Sequence, residues 1–380
     1  MNDDHILMWR TRWNIYVWSV GEVNMQNSIQ QINQKLLSKQ GSAARVLDHM
    51  PRIVHTSIVK ALKYPFTYPE LDSFSQALMA IQYKQGISGI VGTDVQASRQ
   101  LFELNAQALI KQVTPVTQVR DLKLPLQSGE VEARHYHPAP NKKLPMLIFY
   151  HGGGFVVGSR DTHDEVCRLI AVYSKVQVLS LEYPLAPEVG PYVLIKSCED
   201  ALAWVYQNRN HFKILKHRIA VAGDSAGGNI ATVVAQRSKK MAYAPQAQFL
   251  IYPTVDFKSR HPSFYMYKEG LVLTGKDVEL VTEYYALKHH IELDDPIISP
   301  TYGDIKKVAP TFLVTAGHDI LHDEAKIYAY KLKQNGVQVH YQEYVDQFHG
   351  FINLTSISNK AKKYVIEMSR GFRKFWDKNC

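Results

Sequence analysis

The sequence predicts an α/β fold: a mostly parallel, eight-stranded sheet with helices on both faces and a helical cap. Three observations lead there. The runs LPMLIFY, VQVLSLEY, HRIAVAG, AQFLIYP and PTFLVTAG are short and almost wholly apolar, as expected of strands buried on both faces. The helix-length segments DEVCRLIAVYSK, LIKSCEDALAWVYQN and GGNIATVVAQRSKK lie between them, and such alternation builds parallel sheets. Upstream, QQINQKLLSK and SRQLFELNAQALIKQ space their apolar residues three and four apart, which is helical periodicity.

The elements follow in order. The opening stretch ILMWRTRWNIYVWSVGEV holds three of the five tryptophans and is broken by Arg10 and Arg12. It is too short and too charged to span a bilayer, and it lacks a signal-peptide core. Three readings compete for it. It is a cap helix, a stretch upstream of a true start at Met25, or an interfacial anchor with Trp9, Trp13 and Trp18 among headgroups. Residues 25–116 read as helices interrupted at Pro65 and Pro69. TQVRDLKLPL and VEARHYHPA flank QSGE as a strand hairpin that adds an antiparallel edge. After YPTVDF about forty residues pass before the next strand, with a helix at GKDVELVTEYYALKHH. So long an excursion at one end of a sheet reads as a lid or binding element. VQVHYQEYV is the last strand. In the closing helix, Tyr364, Val365, Met368, Phe372, Phe375 and Trp376 share a face that covers the sheet. The division is then an N-terminal extension and helical cap (1–116), a first core part (117–257), a cap insertion (258–300) and a second core part (301–380).

Composition narrows the function classes. Of 380 residues, 46% are hydrophobic and 21% charged, an ordinary globular balance. The net charge is +9, but Lys and Arg are scattered, with KAKKY at 360–364 the densest run. The excess reads as a solvated surface rather than a nucleic-acid site. Cys167, Cys198 and Cys380 are odd in number and widely spaced, so no disulfide framework is expected and the default compartment is cytoplasmic. No C-x-x-C pair or His/Cys cluster suggests a metal.

The chemistry sits at IAVAGDSAGGNIA, 219–231. An apolar strand runs into Gly223-Asp224-Ser225-Ala226-Gly227 and a helix follows, the strand-turn-helix setting that G-x-S-x-G requires. The sharp turn would crowd side chains two positions either way, and Gly223 and Gly227 remove them. Ser225 is the candidate nucleophile. Its hydroxyl needs a base. Among 16 histidines, His349 in DQFHGF follows the last strand, at the sheet end where α/β sites assemble; His340, inside that strand, reads as structural. An acid must hold the base's tautomer. Asp319 ends the strand TFLVTAGHD, and Asp323 and Glu324 one turn on are the alternatives. The order Ser225, Asp319, His349 is that of α/β-hydrolases.

The run LIFYHGGGFVVGS places three glycines after a buried strand. Acyl transfer builds charge on a carbonyl oxygen, and each preorganised N–H there is worth roughly 10²–10³ in rate. Ala226 supplies one donor, and a glycine loop can approach backbone-first to supply others. His151 reads as a loop-ordering side chain.

HGGGF, EYPLAPE, GDSAGGN, YPTVDF, DDPIISP, GHDILHDE and FHGF occur in this order from 151 to 351. Together they resemble the hormone-sensitive-lipase-like family of α/β-hydrolases, in its bacterial carboxylesterase branch with GDSAG. The resemblance covers residues 117–378 well and 69–116 loosely. It implies hydrolysis of short- to medium-chain carboxylic esters by a serine triad, with no cofactor and no metal. It also implies a cap made of the N-terminal helices and the insertion at 258–300. Matched motif by motif, the triad falls on Ser225, Asp319 and His349. The oxyanion donors fall on Gly153, Gly154 and Ala226, with Gly152 shaping the turn. Two departures stand out: Pro184 occupies a position where the family commonly has Arg, and the chain before residue 69 exceeds the usual cap.

The expected activity is that of a serine carboxylesterase on small-molecule esters. An amide hydrolase or deacetylase, or an interfacial lipase, could use the same residues, and a non-catalytic binder is the remoter alternative. No nucleic-acid partner is expected. Membrane contact through residues 1–24 is the less favoured reading, and a homodimer is left open.

Overall fold

The computed structural model describes residues 39–110 and 112–380. The tryptophan-rich start, Met25 and all but the last residue of QQINQKLLSK lie outside the described residues. Helical residues 39–48 precede α1 (Arg52–Ala61), α2 (Ser73–Lys84) and α3 (Val95–Leu109). The sheet is built from β1 (Gln118–Leu126), β2 (Gly129–His137), β3 (Leu144–Tyr150), β4 (Gln177–Leu181), β5 (Ile214–Asp224), β6 (Ala247–Ile251), β7 (Thr311–His318) and β8 (Val339–Phe348). Between and after these strands run α4 (Asp164–Ser174), α5 (Pro191–Gln207), α6 (Ala226–Ser238), α7 (Pro262–Tyr267), α8 (Gly275–Tyr285), α9 (His322–Gln334) and α10 (Asn359–Asn379).

The eight strands form one sheet in the order β1-β2-β4-β3-β5-β6-β7-β8. The expected hairpin is present as β1–β2, and β2 is antiparallel to both β1 and β4. Only β2 therefore runs against the rest, and every pairing from β4 to β8 is parallel. The strand sequences are apolar without alternation because both faces are covered. Met146, Ile148 and Tyr150 of β3 enter one core cluster, while Leu147 and Phe149 enter the other. Helices α5, α6 and α9 pack on the first face, α4 and α10 on the second. On α10, Val365, Met368, Phe372 and Trp376 are buried, with Tyr364 and Phe375 packed partly against the same cluster. Each such side chain contributes roughly 1.5–3 kcal/mol of burial, and Phe372 stacks on Phe249 of β6 with ring centroids 4.7 Å apart.

The excursion after β6 contains the expected helix, α8, and also the short α7, which periodicity could not distinguish in six residues. The N-terminal helices pack against this insertion. Asp277 joins them: it closes a capping box with Thr274 at the start of α8. Its Oδ1 also accepts the backbone N–H groups of Ile90 (2.7 Å) and Val91 (2.9 Å). Tyr68 adds a hydrogen bond from its hydroxyl to the Glu269 carbonyl at 2.7 Å, and Tyr64 reaches the Gly270 carbonyl. No helix among the described residues is long and apolar enough to cross a membrane.

Candidate active site

Ser225 occupies the turn between β5 and α6 at φ 53, ψ −119. This is a strained backbone for a side-chain-bearing residue, of the kind that persists at functional turns when the surroundings over-determine it. The surroundings do so here. A Cβ on Gly223 would run into the backbone of Gly227 and the Tyr150 carbonyl, and one on Gly227 into the Tyr150 and His151 carbonyls. The two glycines thus let β5 and α6 close against β3. The turn is pinned by the Ser225 N–H to the Ile251 carbonyl at 2.9 Å.

His349 follows β8 directly. Its Nε2 lies 2.9 Å from Ser225 Oγ and its Nδ1 2.7 Å from Asp319 Oδ2. Asp319 follows β7, and its other oxygen accepts the Leu321 N–H at 2.8 Å. That bond fixes the carboxylate plane facing the imidazole. Ser225, His349 and Asp319 are all buried, and all three leave the C-terminal ends of parallel strands. Tyr252, at the end of β6, lays its ring against His349 with centroids 4.6 Å apart. The other acid candidates go elsewhere. Asp323 accepts the Ser263 N–H at 2.9 Å and contacts His322. Glu324 accepts the N–H of Val255 (2.7 Å) and the hydroxyl of Thr254 (3.0 Å). His340 stacks on Phe312 inside the sheet, with centroids 4.6 Å apart.

The glycine loop lies beside this group. Gly153 and Gly154 have φ of 125 and 60, conformations that glycine adopts without penalty. A Cβ on Gly154 would stand 2.6 Å from Val281 Cγ2 of α8, so the insertion packs directly on the loop. The N–H groups of Gly153, Gly154 and Ala226 donate to no acceptor among the described residues. Gly152, grouped with the oxyanion loop on sequence, differs: its N–H is already given to Asp224 Oδ1 at 2.9 Å. It has no donor left to offer and can only shape the loop.

Several residues outside the triad and the N–H donors support the site, and of these His163, Tyr183 and Arg99 carried no signal of their own in the sequence. Asp224 is buried beside His163, whose Nε2 lies 3.3 Å from its Oδ1. Burial alone would raise its carboxyl. The imidazole, the Gly152 N–H and His151 outweigh that and hold it below the usual carboxylate range. His151 stacks on Tyr183 at 4.3 Å and has its Nδ1 2.9 Å from the Gly152 carbonyl. Burial and the neighbouring His163 push its pKa down to about 3, so it is a neutral, loop-ordering ring, as expected. Beside Pro184, which has neither N–H nor polar side chain, the backbone is held by Arg99 of α3. Arg99 donates to the carbonyls of Val156 (2.8 Å) and Ala186 (2.9 Å) and pairs with Glu188 at 2.6 Å.

A cavity of about 40 Å³ opens at Ser225. Gly154, Phe155, Ala226, Leu273, Val278 and Val281 give it an apolar wall, and Asp256, Arg260 and Glu324 a polar rim. Burial, reinforced by the neighbouring Asp256 carboxylate, pushes the Glu324 carboxyl up to about 8 even though three donors face it. An aliphatic slot next to a serine, an imidazole and free N–H donors suits a small acyl group whose carbonyl carbon is to be attacked.

Residues 147–353 match the family with the α/β-hydrolase fold. The carboxylic ester hydrolase LipN of Mycobacterium tuberculosis is 35% identical over 311 residues, covering 80% of this chain and 82% of that one. The ethyl acetate hydrolase of Pseudomonas putida is 30% identical over 305 residues, covering 78% and 96%. Among solved structures, an α/β-hydrolase enzyme from the metagenome of Lake Arreo superposes with a TM-score of 0.76 at 30% identity, covering 82% of this chain and 98% of that one. The esterase of the hyperthermophilic archaeon Pyrobaculum calidifontis superposes with a TM-score of 0.71 at 33% identity, covering 78% and 97%. On the family match over residues 147–353 and relatives at 30–35% identity along most of both chains, the chain belongs to the hormone-sensitive-lipase-like family of α/β-hydrolases.

Proposed function

We propose that this chain is a serine carboxylesterase that hydrolyses small carboxylic esters through an acyl-enzyme. The observation that carries the proposal is the unbroken hydrogen-bond chain from Ser225 Oγ through His349 to Asp319, at 2.9 and 2.7 Å. Ser225 Oγ attacks the ester carbonyl while His349 Nε2 takes its proton. Asp319 keeps the remaining imidazole proton on Nδ1 and stabilises the imidazolium. The N–H groups of Gly153, Gly154 and Ala226 receive the oxyanion. His349 then returns the proton to the departing alcohol. A water molecule, deprotonated by His349, attacks the acyl carbon, and the acid leaves as Ser225 regains its proton.

Two observations favour the short end of the acyl range. At roughly 10–15 Å³ per water, a cavity of about 40 Å³ holds only a few atoms beyond the reacting carbon. One relative is named for ethyl acetate. The test is turnover of p-nitrophenyl butyrate by Ser225→Ala, where kcat is expected to fall about 10⁶-fold. A variant that kept a tenth of wild-type turnover would overturn the assignment.

A further inference from the structure

The sheet has a second concave site, at the end away from Ser225. A cleft of about 430 Å³ lies between the β1–β2 edge and the C-terminal end of α5. Its lining carries Arg120, Lys123 and Lys213 together with His135, His137 and His211, and no Asp or Glu among the described residues. Sheet register explains the crowding. Gln118 stands directly opposite His137 on the paired strands, and Arg120 directly opposite His135. Side chains on directly opposed residues share a face, so β1 and β2 turn a cation and two imidazoles the same way. The turn after α5 brings His211 and Lys213 across to meet them. Tyr136 pairs with Val178 near the start of β4. The cleft therefore sits at the N-terminal end of the parallel strands, whereas Ser225 leaves the C-terminal end of β5.

Two features show that polar groups there are unmet. Lys123 is paired with Glu130 at 2.9 Å, but Arg120 and Lys213 have no ion pair and no side-chain hydrogen bond among the described residues. His137 is only 4% exposed. Its Nδ1 accepts the Ala139 N–H at 3.2 Å, which places the ring proton on Nε2, and that nitrogen is buried without a partner. Burial and the charges of Lys213 and Arg120 push the pKa of His137 down, which favours the neutral ring with its proton on Nε2. A buried N–H without an acceptor is costly, and two cations beside it favour an acceptor that is an anion. His135 is accounted for differently: Nε2 bonds Gln177 Oε1 at 2.9 Å, and its ring meets Phe212 edge-on at 5.2 Å. Phe212 in turn packs against Trp204 with centroids 5.8 Å apart, so one wall of the cleft is aromatic.

We infer that this cleft is a second ligand site, built to hold a small phosphate-type oxyanion between Arg120, Lys213 and the Nε2–H of His137. The charged rim supplies attraction and the imidazole N–H a directed hydrogen bond. The site is independent of the ester chemistry and is tested without it.

The experiment is calorimetric titration of inorganic phosphate into the full chain at neutral pH and constant ionic strength, repeated with phenyl phosphate. One site per chain is expected, with a rise in melting temperature as phosphate is added. The double variant Arg120→Gln/Lys213→Gln should bind at least about tenfold more weakly and keep wild-type turnover of p-nitrophenyl butyrate. Both residues are exposed, so folding is preserved, and circular dichroism verifies it. Tighter binding of phenyl phosphate identifies an organic phosphate held against Trp204 and Phe212; equal binding identifies the bare ion. Absence of binding of either up to ~10 mM, or equal affinity in the double variant, overturns the inference.

Discussion

The N–H of Gly152 donates to the carboxylate of Asp224 at 2.9 Å, so the residue before the nucleophile holds the loop that faces it. The pairing makes the glycine loop and the nucleophile turn one rigid unit. Asp224→Ala removes the acceptor and frees the loop. It is expected to lower kcat about 10²-fold, the scale of losing one oxyanion donor. Asp224→Asn keeps an acceptor oxygen and should lose less. Steady-state kinetics on p-nitrophenyl butyrate, with circular dichroism as the folding control, checks this. An alanine variant with wild-type kcat would show that the loop needs no such anchor.

Gly227 has no room for a side chain, since its Cβ would fall into the Tyr150 carbonyl and 2.7 Å from that of His151. These are backbone atoms in and after a central strand and cannot step aside. Gly227→Ala should destabilise the fold by at least about 2 kcal/mol, read by denaturant unfolding. An unchanged midpoint would mean that α6 can shift away from β3 at little cost.

Val281 of α8 lines the cavity at Ser225, proposed above to take the acyl group, and touches the space over Gly154. Val281→Ala should lengthen the slot. A methylene in an apolar pocket is worth roughly 1–3 kcal/mol, so the ratio of kcat/KM for hexanoate over acetate p-nitrophenyl esters should rise about tenfold or more. If the ratio stays put, the acyl chain lies elsewhere.

Glu324 provides a pH test. Burial raises its carboxyl from an ordinary 4.5 to about 8, so the folded state holds a proton that the unfolded chain releases. Stability from this group is complete below about pH 4.5 and is lost as pH rises through about 8. Glu324→Gln keeps an acceptor for Val255 and Thr254 and never ionises. Relative to wild type, it should therefore gain at least about 1 kcal/mol between mildly acidic and mildly alkaline buffer. Parallel unfolding curves at the two pH values measure the difference, and a pH-independent difference would refute the shift.

The sequence by itself determined the layered α/β architecture, the eight strands and the strand-to-helix turn that carries Ser225, because these rest on short-range physics. Apolar runs such as LPMLIFY admit no solvent face. A serine between Gly223 and Gly227 at a strand-to-helix joint leaves few alternatives. His349 and Asp319 were legible as candidate partners of Ser225 because each stands just past a strand at the end of the sheet where such sites form, and the structure brings the three within hydrogen-bond distance. What lay between distant segments was not legible. Asp323 and Glu324 are near Asp319 in the chain, and only packing sends one to Ser263 and the other to Thr254–Asp256. Gly152 is one of three adjacent glycines, and only the approach of Asp224 from β5 takes its N–H. The cavity wall joins α8 to the glycine loop across more than a hundred residues, and the basic cleft joins β1 to the end of α5. Periodicity says which face of an element is buried, but not which other element covers it. That choice is made by side-chain fit and hydrogen-bond satisfaction once the chain is compact.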